Sequence, residues 1–153
     1  MPDTAPVAID MISQTIERFW ETIPPLWNEV RGRIRTVATD DFGISVEQFQ
    51  ILRHIRKGVR SVSDLAEAKQ ISRPAISQAV DILVEKGLIS RRQSPEDRRF
   101  VELELTPHGD ELLNAIFQKN RGWMREKLAS LDAGELTCVL CAMDRLGQAF
   151  DLK

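Results

Sequence analysis

A mainly α-helical chain with one small β-hairpin attached to a helix-turn-helix is the architecture expected from three features of these 153 residues. Apolar residues recur at three- and four-residue spacing over long stretches near both ends. Serine, threonine or aspartate stands ahead of most later helical stretches, where its side chain can cap the first turn. Only residues 88–105 alternate in the two-residue period of a strand.

The elements follow in order. Residues 7–39 carry Ile9, Ile12, Ile16, Phe19, Trp20 and Ile23, then Leu26, Trp27, Val30 and Ile34, at helical spacing. Pro24 and Pro25 interrupt this run, so the helix should kink or divide there. Phe42 and Gly43 make a turn, and Ser45 opens a second helix with Gln48 as its box partner and Ile44 and Phe49 as its staple. Gly58 ends that helix after about Lys57. Ser61 with Asp64 starts a short third helix through Leu65, Ala66 and Ala68. Ser72 accepts from the free N–H groups of a fourth, Ile71 and Ile76 form its staple, and Gly87 supplies the left-handed stop.

Two strands follow, Leu88 to Arg92 and Phe100 to Leu105, with Val101, Leu103 and Leu105 alternating against Glu102 and Glu104. Thr106 and Pro107 then begin a helix that carries Leu112, Leu113, Ile116 and Phe117 to about Leu128. An Asp132 to Glu135 box opens the last helix, whose stripe is Val139, Leu140, Met143, Leu146 and Phe150. Cys138 and Cys141 in that helix read as two buried small residues rather than a metal or redox pair.

Composition sets the class. With 42% apolar and 29% charged residues the chain suits one domain, 1–153, with a real core. No apolar run approaches the roughly 20 residues of a membrane span, and Met1 to Ala8 lacks the basic and apolar regions of a leader, so a cytoplasmic protein is expected. His54 and His108 are too few and too far apart for a metal cluster, and both read as structural. With no tyrosine, no phosphate-binding glycine loop and no nucleophile beside a base, neither an enzyme nor a cofactor is expected.

The net charge of -2 conceals a division. Residues 53–99 hold eleven Lys and Arg against six acids, or +5, which leaves 10 of the 21 bases and 17 of the 23 acids elsewhere, or -7. A basic centre in an acidic frame favours local contact with a polyanion. On the fourth helix Ile76, Ala79, Val80, Leu83 and Val84 share one side, which leaves Arg73, Pro74, Ser77, Gln78 and Asp81 facing outward. A short polar face beside an arginine-studded hairpin points to DNA. Long apolar-faced helices at both ends, around a middle unit with its own core, suggest that two copies pack through them. A two-fold dimer would offer two such helices to successive major grooves, about 34 to 36 Å apart.

The chain resembles the MarR family, the multiple antibiotic resistance type of winged helix-turn-helix regulators. The resemblance rests on Glu47, Gln48, Phe49 and Leu52, on Asp64, Leu65 and Ala66, on Ser72 to Leu83, and on Glu85, Lys86, Gly87, Leu88 and Ile89. Ser94, Pro95, Glu96, Asp97, Arg98 and Arg99, followed by Leu105, Thr106 and Gly109, reproduce the family's wing and its Leu-Thr-x-x-Gly close. It implies a homodimer through the helices of 7–39 and 107–150, and a DNA-binding lobe over 45–106. DNA would be read by the fourth helix and by minor-groove contacts from the wing.

Arginine heads suit a narrow, negative minor groove, and Arg98 and Arg99 are the candidates, with Asp97 pairing Arg99 as the family pattern suggests. Of Arg91 and Arg92 beside the wing, one should meet phosphate while the other braces the hairpin. Arg73 suits a guanine edge, and Ser77 and Gln78 suit base edges or phosphate; residue type does not decide among them. Ser72 and Pro74 complete that surface at the helix start. Ser61 and Ser63 are phosphate donors by position, although capping is the better reading of Ser61.

The resemblance also implies a lipophilic or aromatic effector near Phe19, Trp20, Trp27 and Arg31, where dimer core is the competing reading. No cysteine precedes Cys138, which argues against the family's peroxide-sensing variety. The expected protein is a regulator of a pseudo-palindromic operator in double-stranded DNA, a repressor released by its effector. A winged-helix module for protein contacts and a constitutive, effector-free DNA binder are the alternatives.

Overall fold

The structure is a computed structural model that describes residues 5–152 apart from 96, 98 and 100, with side chains described from Asp10 onward. Two compact units meet in sequence between Ile116 and Phe117. The first begins with α1 (Ala5–Thr36), which runs through Pro24 and Pro25 as one helix and is not divided by them. Each proline removes a donor from the carbonyl four residues back, here on Trp20 and Glu21. Both residues are exposed, so water can serve those carbonyls and the helix continues.

A five-residue π turn, Val37–Asp41, replaces the last helical turn expected to reach residue 39, and it buries Val37 and Ala38. Then come α2 (Val46–Arg56), α3 (Val62–Lys69) and α4 (Arg73–Glu85). Strands β1 (Ile89–Gln93) and β2 (Val101–Leu105) form an antiparallel ribbon that pairs Ile89 with Leu105 and Gln93 with Val101. Phe100, expected to start the second strand, lies outside the described residues. Helix α5 (Pro107–Leu128) begins in the first unit and ends in the second, which also holds α6 (Ala133–Ala149).

The core of the first unit lies among α2, α3, α4 and the base of the ribbon. Ile51, Leu52, Leu65, Ile76, Val80 and Leu83 are fully buried, and Leu88, Ile89 and Leu103 nearly so. Burial of each such side chain stabilises by roughly 2 kcal/mol. Val101, expected to face inward, is instead 51% exposed. It pairs with Gln93 at the far end of the ribbon, and a two-stranded ribbon has no second layer there to cover it.

Caps decide where the helices start. Ser45 and Gln48 form the reciprocal box expected of them, with Gln48 N–H donating to Ser45 Oγ at 3.1 Å and Ser45 N–H to Gln48 Oε1 at 3.0 Å. Asp132 and Glu135 repeat it in the second unit. Ser72 does not cap: it takes the extended backbone of an N-cap, yet its hydroxyl receives no bond from the first turn. Pro74 lacks the N–H at one of the two positions a cap can serve, and the other position, the one Ser45 uses in α2, makes no bond to Ser72 either. Ser45→Ala should therefore cost about 1 kcal/mol in urea unfolding. Ser72→Ala should change stability by less than about 0.3 kcal/mol, within the range of a neutral surface change.

Within the second unit no residue of α6 is buried. Cys138 and Cys141 are exposed free thiols, against the expectation that they fill a core. Among the described residues, no helix is long and apolar enough to cross a membrane.

Candidate nucleic-acid interface

Burial of Ile76, Val80 and Leu83 fixes the rotation of α4 about its axis. Arg73, Pro74, Gln78 and Asp81 are consequently exposed and Ser77 is half-buried, as the helical spacing requires. Gly87, at φ +69°, ends the helix, and Leu88 N–H returns to Leu83 O at 2.9 Å. At the start of α3, Ser61 Oγ accepts from Asp64 N–H at 3.0 Å. Capping is thus the hydroxyl's role as acceptor, and its proton is still available to donate. Ser63, two residues on, is exposed.

Both arginines of β1 are ion-paired. Arg91 Nη2 lies 2.6 Å from Asp81 Oδ1, which ties the ribbon to the outer face of α4. Arg92 Nη1 lies 3.6 Å from Glu104 on the opposite strand, and its side chain is 72% exposed. Arg91 is the brace, and Arg92 the more accessible charge. Three further contacts anchor the ribbon, and local sequence patterns gave no sign of them. Arg60, in the α2–α3 connection, reaches Glu102 at 3.6 Å and Glu104 at 3.3 Å, and its carbonyl accepts from Leu103 N–H at 2.7 Å. These partners stand more than forty residues apart, beyond the reach of any helical or strand period.

At the wing, Asp97 and Arg99 form a two-pronged pair. Arg99 Nη2 donates to Oδ2 at 2.8 Å and Nε to Oδ1 at 3.0 Å, while the Arg99 backbone N–H also donates to Oδ1 at 3.0 Å. The bonds from Arg99 hold the Asp97 carboxyl below the usual carboxylate range, so it stays charged and keeps its grip at neutral pH. Arg99 remains 86% exposed. A pair this exposed adds little stability, and its two-pronged geometry fixes the direction of the guanidinium relative to the Asp97 carboxylate. Arg98 lies outside the described residues.

On α1, the Phe19 ring is half-buried and meets Trp20 edge to face, with centroids 5.8 Å apart. Trp20 and Trp27, seven residues apart on one helical face, are 66% and 55% exposed, and Arg31 is exposed as well.

His54 is half-buried on α2, and its pKa is lowered first by burial and then by the charges of Lys69, Lys57 and Arg53. The unfolded chain therefore takes up that proton before the folded one does. Stability should be complete above about pH 6.5 and fall as the pH drops through the lower folded value. Thermal midpoints measured from about pH 7.5 to about pH 5 should show this slope, and His54→Gln should flatten it.

Comparison with known proteins supplies the family. A sequence model described as "MarR family" matches residues 42–99, which takes in α2, α3, α4 and the first strand. The HTH-type transcriptional repressor MdtR of Bacillus subtilis is 29% identical over 108 residues, covering 70% of this chain and 70% of MdtR. Against two other curated regulators of that organism, YhbI and YdgJ, the chain spans 64% of their length. Among solved structures, the transcriptional regulator Tm0710 of Thermotoga maritima has the same fold, with a TM-score of 0.79 at 21% identity over 88% of this chain and 95% of that one. A mutant of S. aureus MepR bound to an oligodeoxyribonucleotide also shares it, with a TM-score of 0.68 at 18% identity over 86% and 97%. The match to that family over residues 42–99, and a fold shared over nearly nine-tenths of the chain, support a MarR-family winged helix-turn-helix.

Proposed function

We propose that this protein is a homodimeric, sequence-specific DNA-binding regulator of transcription, acting in the cytoplasm as a repressor that a small lipophilic or aromatic effector releases. One observation carries the DNA reading: a polar outer face of α4 stands braced beside a hairpin whose Arg99 is exposed and held by Asp97. In this reading the lobe of residues 45–106 binds DNA. Arg73, Ser77 and Gln78 meet base edges and phosphate in the major groove, with Ser72 and Pro74 at the edge of that surface. Arg99, together with Arg98, enters the minor groove. Arg92, Ser61 and Ser63 donate to phosphates, while Arg91 serves as the brace.

Support for the dimer comes from apolar side chains that water would otherwise cover. On α1, Ile12, Ile16 and Trp20 are 60%, 53% and 66% exposed; on α6, Leu140 and Met143 are 64% and 58% exposed. Faces of this kind mark association surfaces. The helices of 7–39 and 107–150 would join two copies and set the spacing of two lobes on a pseudo-palindromic site. One matched relative is named a repressor, and one matched structure holds an oligodeoxyribonucleotide. The effector would lie against Phe19, Trp20, Trp27 and Arg31, an aromatic group with a cation nearby, and would favour a spacing that does not fit the operator.

The test is selection of bound duplexes from a random pool, paired with sedimentation of the free protein. A dimer that enriches an inverted repeat, with affinity falling steeply in salt, is the expected result. A monomer that shifts no DNA even at low salt would overturn the reading. Candidate aromatic acids added to the selected complex should release it, and release should weaken in Trp27→Ala. Acids that leave the complex unchanged at saturating concentration would remove the effector from the proposal.

A further inference from the structure

The last helix carries a Cys-x-x-Cys, Cys138 and Cys141, and both are exposed free thiols. Residue type suggests small core fillers, and their exposure removes that role. They stand sixth and ninth in α6 (Ala133–Ala149), past the first turn whose free N–H groups serve redox thiols at helix N-termini. At about 100° per residue, Cys138 lies about 140° and Cys141 about 160° around the helix from Met143, and both are at least about 100° from Leu140. Those two apolar residues are the ones of α6 assigned above to the dimer. The thiols therefore occupy the other, polar side, with Arg145 on their face one turn beyond Cys141.

Spacing decides what can bridge the two sulfurs. Residues three apart on a helix hold their Cβ atoms about 5 to 6 Å apart, whereas a disulfide needs about 3.5 to 4.5 Å. A metal ion between the sulfurs lengthens the bridge. Two metal–thiolate bonds of about 2.3 Å, the zinc value, span up to about 4.6 Å, against about 2 Å for an S–S bond. The helix can accept that link without unwinding. Thiolates select copper(I), zinc and iron–sulfur clusters. Zinc and the clusters take four protein ligands, and among the described residues no third Cys, His, Asp or Glu joins these two in a metal-holding group. Copper(I) is the ion that two thiolates satisfy.

We propose that Cys138 and Cys141 form a two-thiolate site for a soft, monovalent cation of the copper(I) class. On binding, two S–H bonds break and two S–Cu bonds form; both protons leave to solvent, and no electron is transferred. The complex carries one negative charge, and Arg145 places a positive charge on the same face.

The reduced, full-length protein is titrated under argon into copper(I) held by a chromophoric chelator, and the loss of the chelator's colour and the protons released are followed. One ion per chain and two protons per ion are expected. Cys138→Ser and Cys141→Ser should each weaken binding at least about a hundredfold, the loss that follows when two linked contacts become one. Both positions are exposed, so the thermal midpoint should not change, which separates lost binding from lost fold. Zinc at the same free concentration should leave the copper(I) in place. One ion per two chains, displacement of copper(I) by zinc, or full affinity in either folded serine variant would overturn the proposal.

Discussion

Replacing Gly109 by alanine should destabilise the first unit by about 3 kcal/mol, at the upper end of what overpacking costs. A Cβ built on Gly109 would lie 2.1 Å from the carbonyl oxygen of Leu88, 3.0 Å from its carbonyl carbon and 3.2 Å from Leu105 Cδ2. Two of these atoms belong to the backbone and cannot rotate away. The crowding arises because the first turn of α5 is clamped to the end of α4. Thr106 N–H donates to Leu88 O at 3.1 Å, its hydroxyl donates to Gly87 O at 2.6 Å, and Thr106 Oγ1 in turn accepts from Gly109 N–H at 3.0 Å. A methyl group at 109 would prise α5 from this clamp and disturb the exit of β2 with it. The urea midpoint should drop while the slope is held. Gly122→Ala is the control: that glycine is also helical, but open space surrounds its Cβ position, so alanine should be neutral or stabilising by up to about 1 kcal/mol.

The second large effect belongs to the wing. Arg99→Ala should lower affinity for the selected operator at least tenfold per half-site, about 1.4 kcal/mol, and reduce the salt slope by about one per chain. Thermal stability should not change, because the Asp97–Arg99 pair is exposed. Asp97→Asn tests the mechanism more sharply. It removes a negative charge from a surface proposed to face phosphates, so net charge alone predicts tighter binding. If Asp97 acts by aiming Arg99 through its two oxygens, binding weakens instead, and Asp97→Asn falls between the parent and Arg99→Ala. Tighter binding in Asp97→Asn would sink the aiming role and leave Arg99 as a simple counter-charge.

Features encoded within one or two turns were legible in the sequence. The boxes at Ser45 and Asp132, the left-handed stops at Gly58 and Gly87 and the buried stripe of α4 all depend on neighbours within about four residues. Other expectations met circumstances that local rules do not carry. Of the kink or division expected at Pro24 and Pro25, α1 shows no division, and the carbonyls they orphan are on exposed residues. Ser72 takes the extended backbone of an N-cap without the side-chain bond that residue type predicts. Cys138 and Cys141 looked like core filler, yet the chain taken alone leaves α6 without a buried residue. In the site, the choice between Arg91 and Arg92 needed the crossing of β1 over α4, and Arg60 needed the α2–α3 connection to meet β2. Neither meeting follows from periodicity.

The ribbon's anchors bear on entropy. Its base is fixed to the α2–α3 connection through Arg60 and Leu103, to the end of α4 through Thr106 and Leu88, and to the face of α4 through Asp81 and Arg91. A free hairpin would lose roughly 1 to 2 kcal/mol per residue of backbone freedom on being ordered at a groove. Here that loss is met when the chain folds. In the proposed complex, association would then have to still a few exposed side chains, each at about 0.5 to 1.5 kcal/mol, and the bonds to the Asp97 carboxylate would already have reduced that loss for Arg99.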